Sequence, residues 1–135
     1  MTRLEDWQER FHDVVERHSR LPFSWHESNC VYFVADVVEA ITGEDPCAAE
    51  RGCVDEQDFR RRLVAAGVRG VDEGMAARFP EIPPALAQRG DIGVVMVDGE
   101  ACGVVVAGQH VLGKDRAGQM MPWPRSLMIR AFKVG

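Results

Sequence analysis

The sequence has 135 residues, 46% of them hydrophobic and 27% charged, and a net charge of −5 at pH 7. That length suits one domain with one real core, because a chain of this size buries roughly 65–70% of the surface its unfolded form exposes. No apolar run approaches the roughly 18 residues of a membrane span, MTRLEDWQER is charged where a secretion signal would be apolar, and an acidic balance argues against the basic face that displaces counterions from nucleic-acid phosphates. The expectation is a domain with no nucleic-acid partner, no membrane partner and no export route of its own.

Leu4, Trp7, Phe11, Val14 and Val15 recur at helical spacing with charged residues between them, which predicts an amphipathic helix over 3–19. His12 and His18 fall on it and are expected to be solvated. The stretch LPFSWHESN (21–29) breaks the pattern at Pro22. A second helix follows: Asn29 is a good N-cap, Phe33, Val34, Val37, Ala40 and Ile41 keep the three-to-four spacing, and Gly43 supplies the stop. It is apolar on much of its circumference and should be central and buried.

Short helices are expected from Glu44 to Phe79. Pro46 opens one, Asp55 caps another that carries Phe59, Leu63 and Ala66 and ends at Gly67, and a last turn covers 72–78. Pro80, Pro83 and Pro84 exclude a helix or a central strand over 80–90 and mark a hinge between a helical half, about 1–79, and a sheet half, about 90–135. In the second half DIGVVMVDGE (91–100) reads as a strand ended by the hairpin signal Asp98-Gly99, and CGVVVAG (102–108) as its return. His110–Leu112 and Gln119–Met121 add short strands, and LMIRAFKV (127–134) alternates as a closing strand should. Helices first and an antiparallel sheet second is the α+β order, here in a single domain over 1–135.

Cys30 carries the clearest chemical meaning. It follows the N-cap directly, where unpaired N–H groups and about half a positive charge stabilise a thiolate and help to hold an oxyanion. A nucleophilic cysteine needs that geometry together with a histidine base; a small buried cysteine that only packs is the competing reading. The four cysteines, Cys30, Cys47, Cys53 and Cys102, form no CxxC pair and no histidine-rich ligand set, so free thiols with no metal and no cofactor are expected. Cys47 and Cys53, six positions apart, read as small buried residues.

PFSWHESNCVYFVADVVEAITG (22–43), followed after the helical insert by RGDIGVVMV (89–97) and CGVVVAG (102–108), resembles the NlpC-type cell-wall cysteine peptidases. In particular it resembles a small phage family of unknown function related to them and found among tail genes. The resemblance covers about three-quarters of the chain. It implies a papain-like NlpC-type fold, N-terminal helices packed on a C-terminal antiparallel sheet, with Trp25 ahead of Asn29-Cys30 at the helix start and Arg89-Gly90-Asp91 opening the first long strand. It also implies where the base should stand: the family's histidine-valine-glycine aligns its glycine with Gly103, which puts Ala101 in the histidine's place. Asn29 likewise replaces the family's acid.

Alanine takes no proton from a thiol, which leaves Cys30 as a candidate or vestigial nucleophile and two substitute bases to weigh. His110 lies past the strand 101–107, whose ends are roughly 20 Å apart at 3.3 Å per residue, and is a weak candidate; His26, in the loop before Cys30, is a weaker one. Strand alternation sends residues 101 and 102 to opposite faces. If residue 101 faces the cleft, Cys102 faces away into the core; if Cys30 and Cys102 instead faced each other, they could share a metal or a disulfide. Asp91 reads as a turn or cap residue, and Met120, Met121 and Trp123 as an edge of the core or a contact surface.

The function expected from the resemblance and the lost base is a phage tail or tail-tip structural or assembly protein on a degenerate peptidase scaffold. Its partners would be other tail proteins, and its location the host cytoplasm during assembly and then the virion. The alternative is an active cysteine hydrolase of peptidoglycan peptides using Cys30.

Overall fold

The computed structural model describes residues 1–135. Four helices come first, α1 (Trp7–Arg20), α2 (Cys30–Thr42), α3 (Glu56–Ala65) and α4 (Val71–Arg78). Six strands follow: β1 (Glu81–Ile82), β2 (Ile92–Val97), β3 (Glu100–Val106), β4 (His110–Lys114), β5 (Met120–Pro124) and β6 (Arg130–Phe132). The strands make one sheet in the order β1-β6-β2-β3-β4-β5, antiparallel at every pairing. The architecture is α+β.

The sequence dictates α2 at both ends. Asn29 is extended, and its Oδ1 accepts from the Val31 and Tyr32 N–H groups, both at 3.0 Å, which satisfies two of the donors a helix start leaves open. Gly43 closes the helix with φ 83°, a left-handed conformation that costs glycine nothing. Between them Phe33, Val37 and Ile41 are wholly buried and Val34 nearly so. Each such side chain contributes roughly 1.5–3 kcal/mol against a backbone ordering cost of roughly 1–2 kcal/mol per residue. The helix therefore depends on its place in the core for stability.

The main core joins Phe11 and Val14 of α1, Phe33, Val34, Val37, Val38, Ala40 and Ile41 of α2, Met75 and Phe79, and Ile92, Val94, Val105 and Phe132 from the sheet. The opposite sheet face buries a second cluster, Val95, Cys102, Val104, Val106, Val111, Met128 and Ala131, under Ala87. Both faces of β2 and β3 are covered, which explains their nearly continuous apolar runs. Asp98 (φ 51°) and Gly99 (φ 79°) turn β2 into β3 with the two left-handed residues that a tight hairpin requires.

Three expectations change in the structure. The segment 80–90 is pinned and does not form a hinge: β1 pairs with β6 at the sheet edge, Ala87 is buried, and the Arg125 guanidinium donates to the carbonyls of Pro84 (3.2 Å) and Ala87. The closing strand shrinks to Arg130–Phe132 because a 3₁₀ turn, Arg125–Leu127, first carries the chain over the second face. It then enters between β1 and β2, where Gly93 makes room: a Cβ there would lie 2.6 Å from the Arg130 carbonyl oxygen. Pro46 leads into a 3₁₀ turn, Ala48–Glu50, in place of an α-helix.

Candidate functional site

The loop before α2 is tightly tied. Ser24 and Ser28 pair through their backbones at 2.8 and 3.3 Å, the Ser24 hydroxyl accepts from the Glu27 and Ser28 N–H groups, and Asn29 Nδ2 donates to the Ser24 carbonyl at 3.0 Å. This lattice fixes Cys30 in the first turn of α2, with its side chain half-buried.

Cys30 packs against the second sheet cluster, the one that contains Cys102. Alternation along β3 holds, and Cys102 is buried in a core cluster as expected, but that cluster is the one on which Cys30 packs. Ala101 packs on the main core, and a Cβ at Gly103 would stand 3.2 Å from both Val34 and Met75, whereas Cys102 stands in the cluster against which Cys30 packs. The alignment on Gly103 put residue 101 beside the nucleophile; the geometry gives that place to Cys102.

The two thiols have opposite tendencies. Hydrogen bonding to Cys102 is the largest effect on Cys30; burial opposes it, and the Gly103 backbone N–H, the Arg116 charge and its own N–H help to hold the thiol below the ordinary range. Cys102 is pushed far up by the same hydrogen bond, by burial and by the charge of a Cys30 thiolate. Arg116 stacks over Trp25 at 5.5 Å and is held by Glu100 at 2.8 Å and Glu56 at 3.5 Å, which fixes the charge that acts on Cys30.

No imidazole bonds to the Cys30 sulfur. His26 is exposed in the turn that Ser24 and Ser28 close. His110 is exposed at the start of β4, beyond the Val106–Val111 pair, and Cys102 to Val106 alone spans roughly 13 Å of strand. His12 is exposed and faces Glu16 at 3.5 Å. His18, expected in solvent, is fully buried: Nδ1 lies 2.8 Å from Ser28 Oγ and Nε2 lies 2.6 Å from Asp36 Oδ2. The signal was present, because Trp7, Phe11, Val14 and His18 continue one 3–4 stripe of α1. Lys114, equally unforeseen, is buried with Nζ donating to Ser28 Oγ (2.5 Å) and to the His18 (2.8 Å) and Leu21 (2.5 Å) carbonyls.

The remaining expected residues are structural. Asp91 is buried and accepts from Arg3 at 3.0 Å and from the Val134 and Gln88 N–H groups at 3.0 and 2.8 Å. Cys53 is buried and donates to the Glu50 carbonyl at 3.2 Å; burial and nearby Glu50 raise the Cys47 thiol to about 11. All four cysteines are free, and no group of three or more His, Cys, Asp or Glu side chains is placed to hold a metal ion.

The sequence matches the family described as Domain of unknown function (DUF6950) over residues 2–134. The chain belongs to this family. No curated protein matches it. The DUF6950 match spans both the helical and the sheet halves, so Cys30 and Cys102 lie within one family domain. No helix of this DUF6950 chain is long and apolar enough to cross a membrane.

Proposed function

We propose that this chain is a structural or assembly protein of a phage tail or tail tip, built on a cysteine peptidase scaffold of the NlpC type that has lost its general base. The observation that carries the loss is the Cys102 thiol beside Cys30, where hydrolysis of an amide needs an imidazole. A neutral thiol offers no basic nitrogen that takes the nucleophile's proton and returns it to a leaving amine. The resemblance over 22–43, 89–97 and 102–108 supplies the tail setting. Partner proteins would contact the loops 44–56 and 80–90, where Val54 and Leu86 are exposed by 79% and 67%, and the segment around Trp123.

A second reading, a hydrolase of peptidoglycan peptides, is favoured by one feature: the Cys30 thiol is held low at a helix start. Assaying release of peptidoglycan peptides by wild type and Cys30→Ala separates the two. Equal background rates are expected. Turnover that vanishes in Cys30→Ala and in His26→Ala or His110→Ala would establish the hydrolase and name its base. The tail assignment is tested by the protein composition of purified particles and by pull-downs with tail proteins, where a monomer that binds none of them and is missing from the particles would overturn it.

A further inference from the structure

We infer that Cys30 and Cys102 form a redox-active dithiol, with Cys30 the sulfur oxidised first and Cys102 the one that closes an intramolecular disulfide between α2 and β3. This role goes beyond scaffolding and does not depend on the tail assignment. It rests on placement. Of the four cysteines only these two share a packing cluster: Cys30 lies at the start of α2 against the face of β3 on which Cys102 stands. Cys53 is sealed in a different cluster, hydrogen-bonded to Glu50, and Cys47 lines the cavity among α2, α3 and α4. Access is unequal within the pair, since Cys30 is half-buried and Cys102 buried, so an oxidant from solvent meets Cys30 first.

The chemistry follows the same asymmetry. A thiolate is the reactive form of cysteine, and Cys30 is the thiol held low, whereas Cys47 and Cys102 are raised. With a small hydroperoxide ROOH as oxidant, the Cys30 thiolate attacks the distal oxygen, the O–O bond breaks, Cys30 becomes a sulfenic acid, and the alkoxide leaves and takes up a proton as ROH. The negative charge on Cys30 is then gone, and with it the Coulombic repulsion and the thiolate hydrogen bond that raised Cys102. Cys102 loses its proton and attacks the Cys30 sulfur, forming the S–S bond and expelling hydroxide, which that proton converts to water. In sum, two thiols and ROOH give one disulfide, ROH and water; a dithiol reductant reverses the bond by exchange.

The test treats folded wild type, Cys30→Ser and Cys102→Ser with hydrogen peroxide and reads intact mass and peptide maps, with dimedone added to trap sulfenic acid. Wild type is expected to lose two hydrogen masses, to yield a linked peptide pair containing Cys30 and Cys102, and to return to its starting mass with dithiothreitol. Cys102→Ser is expected to carry the dimedone adduct at Cys30, and Cys30→Ser to form no disulfide. A wild-type protein that gains oxygen without any Cys30–Cys102 link, or that links through Cys47 or Cys53, would overturn the proposal. Because wild type alone decides this, a variant that fails to fold does not blunt the test, and the hydrolysis assay is unaffected by either result.

Discussion

His18 and Asp36 are joined by a 2.6 Å hydrogen bond, Nε2 to Oδ2, that ties α1 to α2 inside the fold. The bond is one link of a longer chain. Asp36 also pairs with Arg51 at 2.7 Å and Arg17 at 3.2 Å, His18 packs edge-on against Phe33 with ring centroids 5.4 Å apart, and Ser28 connects the imidazole to the Lys114 ammonium on β4. The three acceptors of Lys114 match its three N–H donors, and no buried side-chain nitrogen or oxygen in the molecule lacks a partner. The network also anchors the loop that delivers Cys30, since Ser28 is two residues before it.

Asp36→Ala should therefore be severely destabilising. It leaves His18 Nε2 without its partner and takes from Arg51 one of its two carboxylates, Asp45 being the other, and breaking one side of a buried pair typically costs about 3–5 kcal/mol. Urea unfolding followed by circular dichroism measures this. A loss below about 1 kcal/mol, the range of exposed pairs, would show that the network contributes little.

Acid should act through the same carboxylate. Burial pushes Asp36 up, but the His18 hydrogen bond and the Arg51 guanidinium outweigh it and hold the group below its ordinary 3.8. A depressed carboxylate contributes stability that is complete above the unfolded value and is lost as pH falls through the folded one. Stability should thus decline steeply below pH 3.8, and Asp36→Asn, less stable at neutral pH, should lose less over that range. Parallel curves for the two proteins would show that Asp36 is not the group responsible.

The helices were legible because their signals are local. Asn29 and Gly43 cap α2 as their types predict, Asp55 caps α3 by accepting from the Asp58 N–H at 2.8 Å, and Asp98-Gly99 turns the hairpin. The candidate nucleophile was legible for the same reason. Its neighbour was not: a period-2 strand shows that 101 and 102 part company but not which one faces the helix start, and that phase is set by packing of Gly103 on Val34 and Met75. Lys114 and Asp36 were missed because their partners are 86 to 96 and 18 residues away in sequence. The 80–90 segment misled because proline excludes a helix or a central strand without excluding a short edge strand or tight packing.

Two glycines should respond oppositely to alanine. At Gly93 a Cβ meets the Arg130 backbone at 2.6 Å, which cannot move without parting β2 from β6, so Gly93→Ala should cost about 1–3 kcal/mol or more. At Gly74, inside α4, the nearest atom is the flexible end of Arg78 at 3.4 Å. Gly74→Ala should stabilise by up to about 1 kcal/mol, the helix-propensity difference. Thermal unfolding of both variants checks the pair, and two losses of similar size would contradict it.

Alkylation should single out Cys30 and report its neighbour. Iodoacetamide reacts with thiolate, so its rate against pH traces the ionisation of the thiol it modifies. In the folded protein Cys30 should be modified first, with a midpoint below the ordinary value of 9.0, since the Cys102 thiol, the Gly103 N–H and Arg116 all favour its charged form. Cys102→Ala removes the largest of these and should shift the midpoint upward; Arg116→Gln should shift it less, and more weakly still at high salt, where a partly exposed charge is screened. Rapid alkylation without release of peptidoglycan peptides would mark a nucleophile whose leaving-group acid is missing, because the helix start stabilises the thiolate but carries no proton to an amine. A midpoint unchanged in Cys102→Ala would mean that the helix start, the Gly103 N–H and Arg116 activate Cys30 without it, and that Cys102 is only packing.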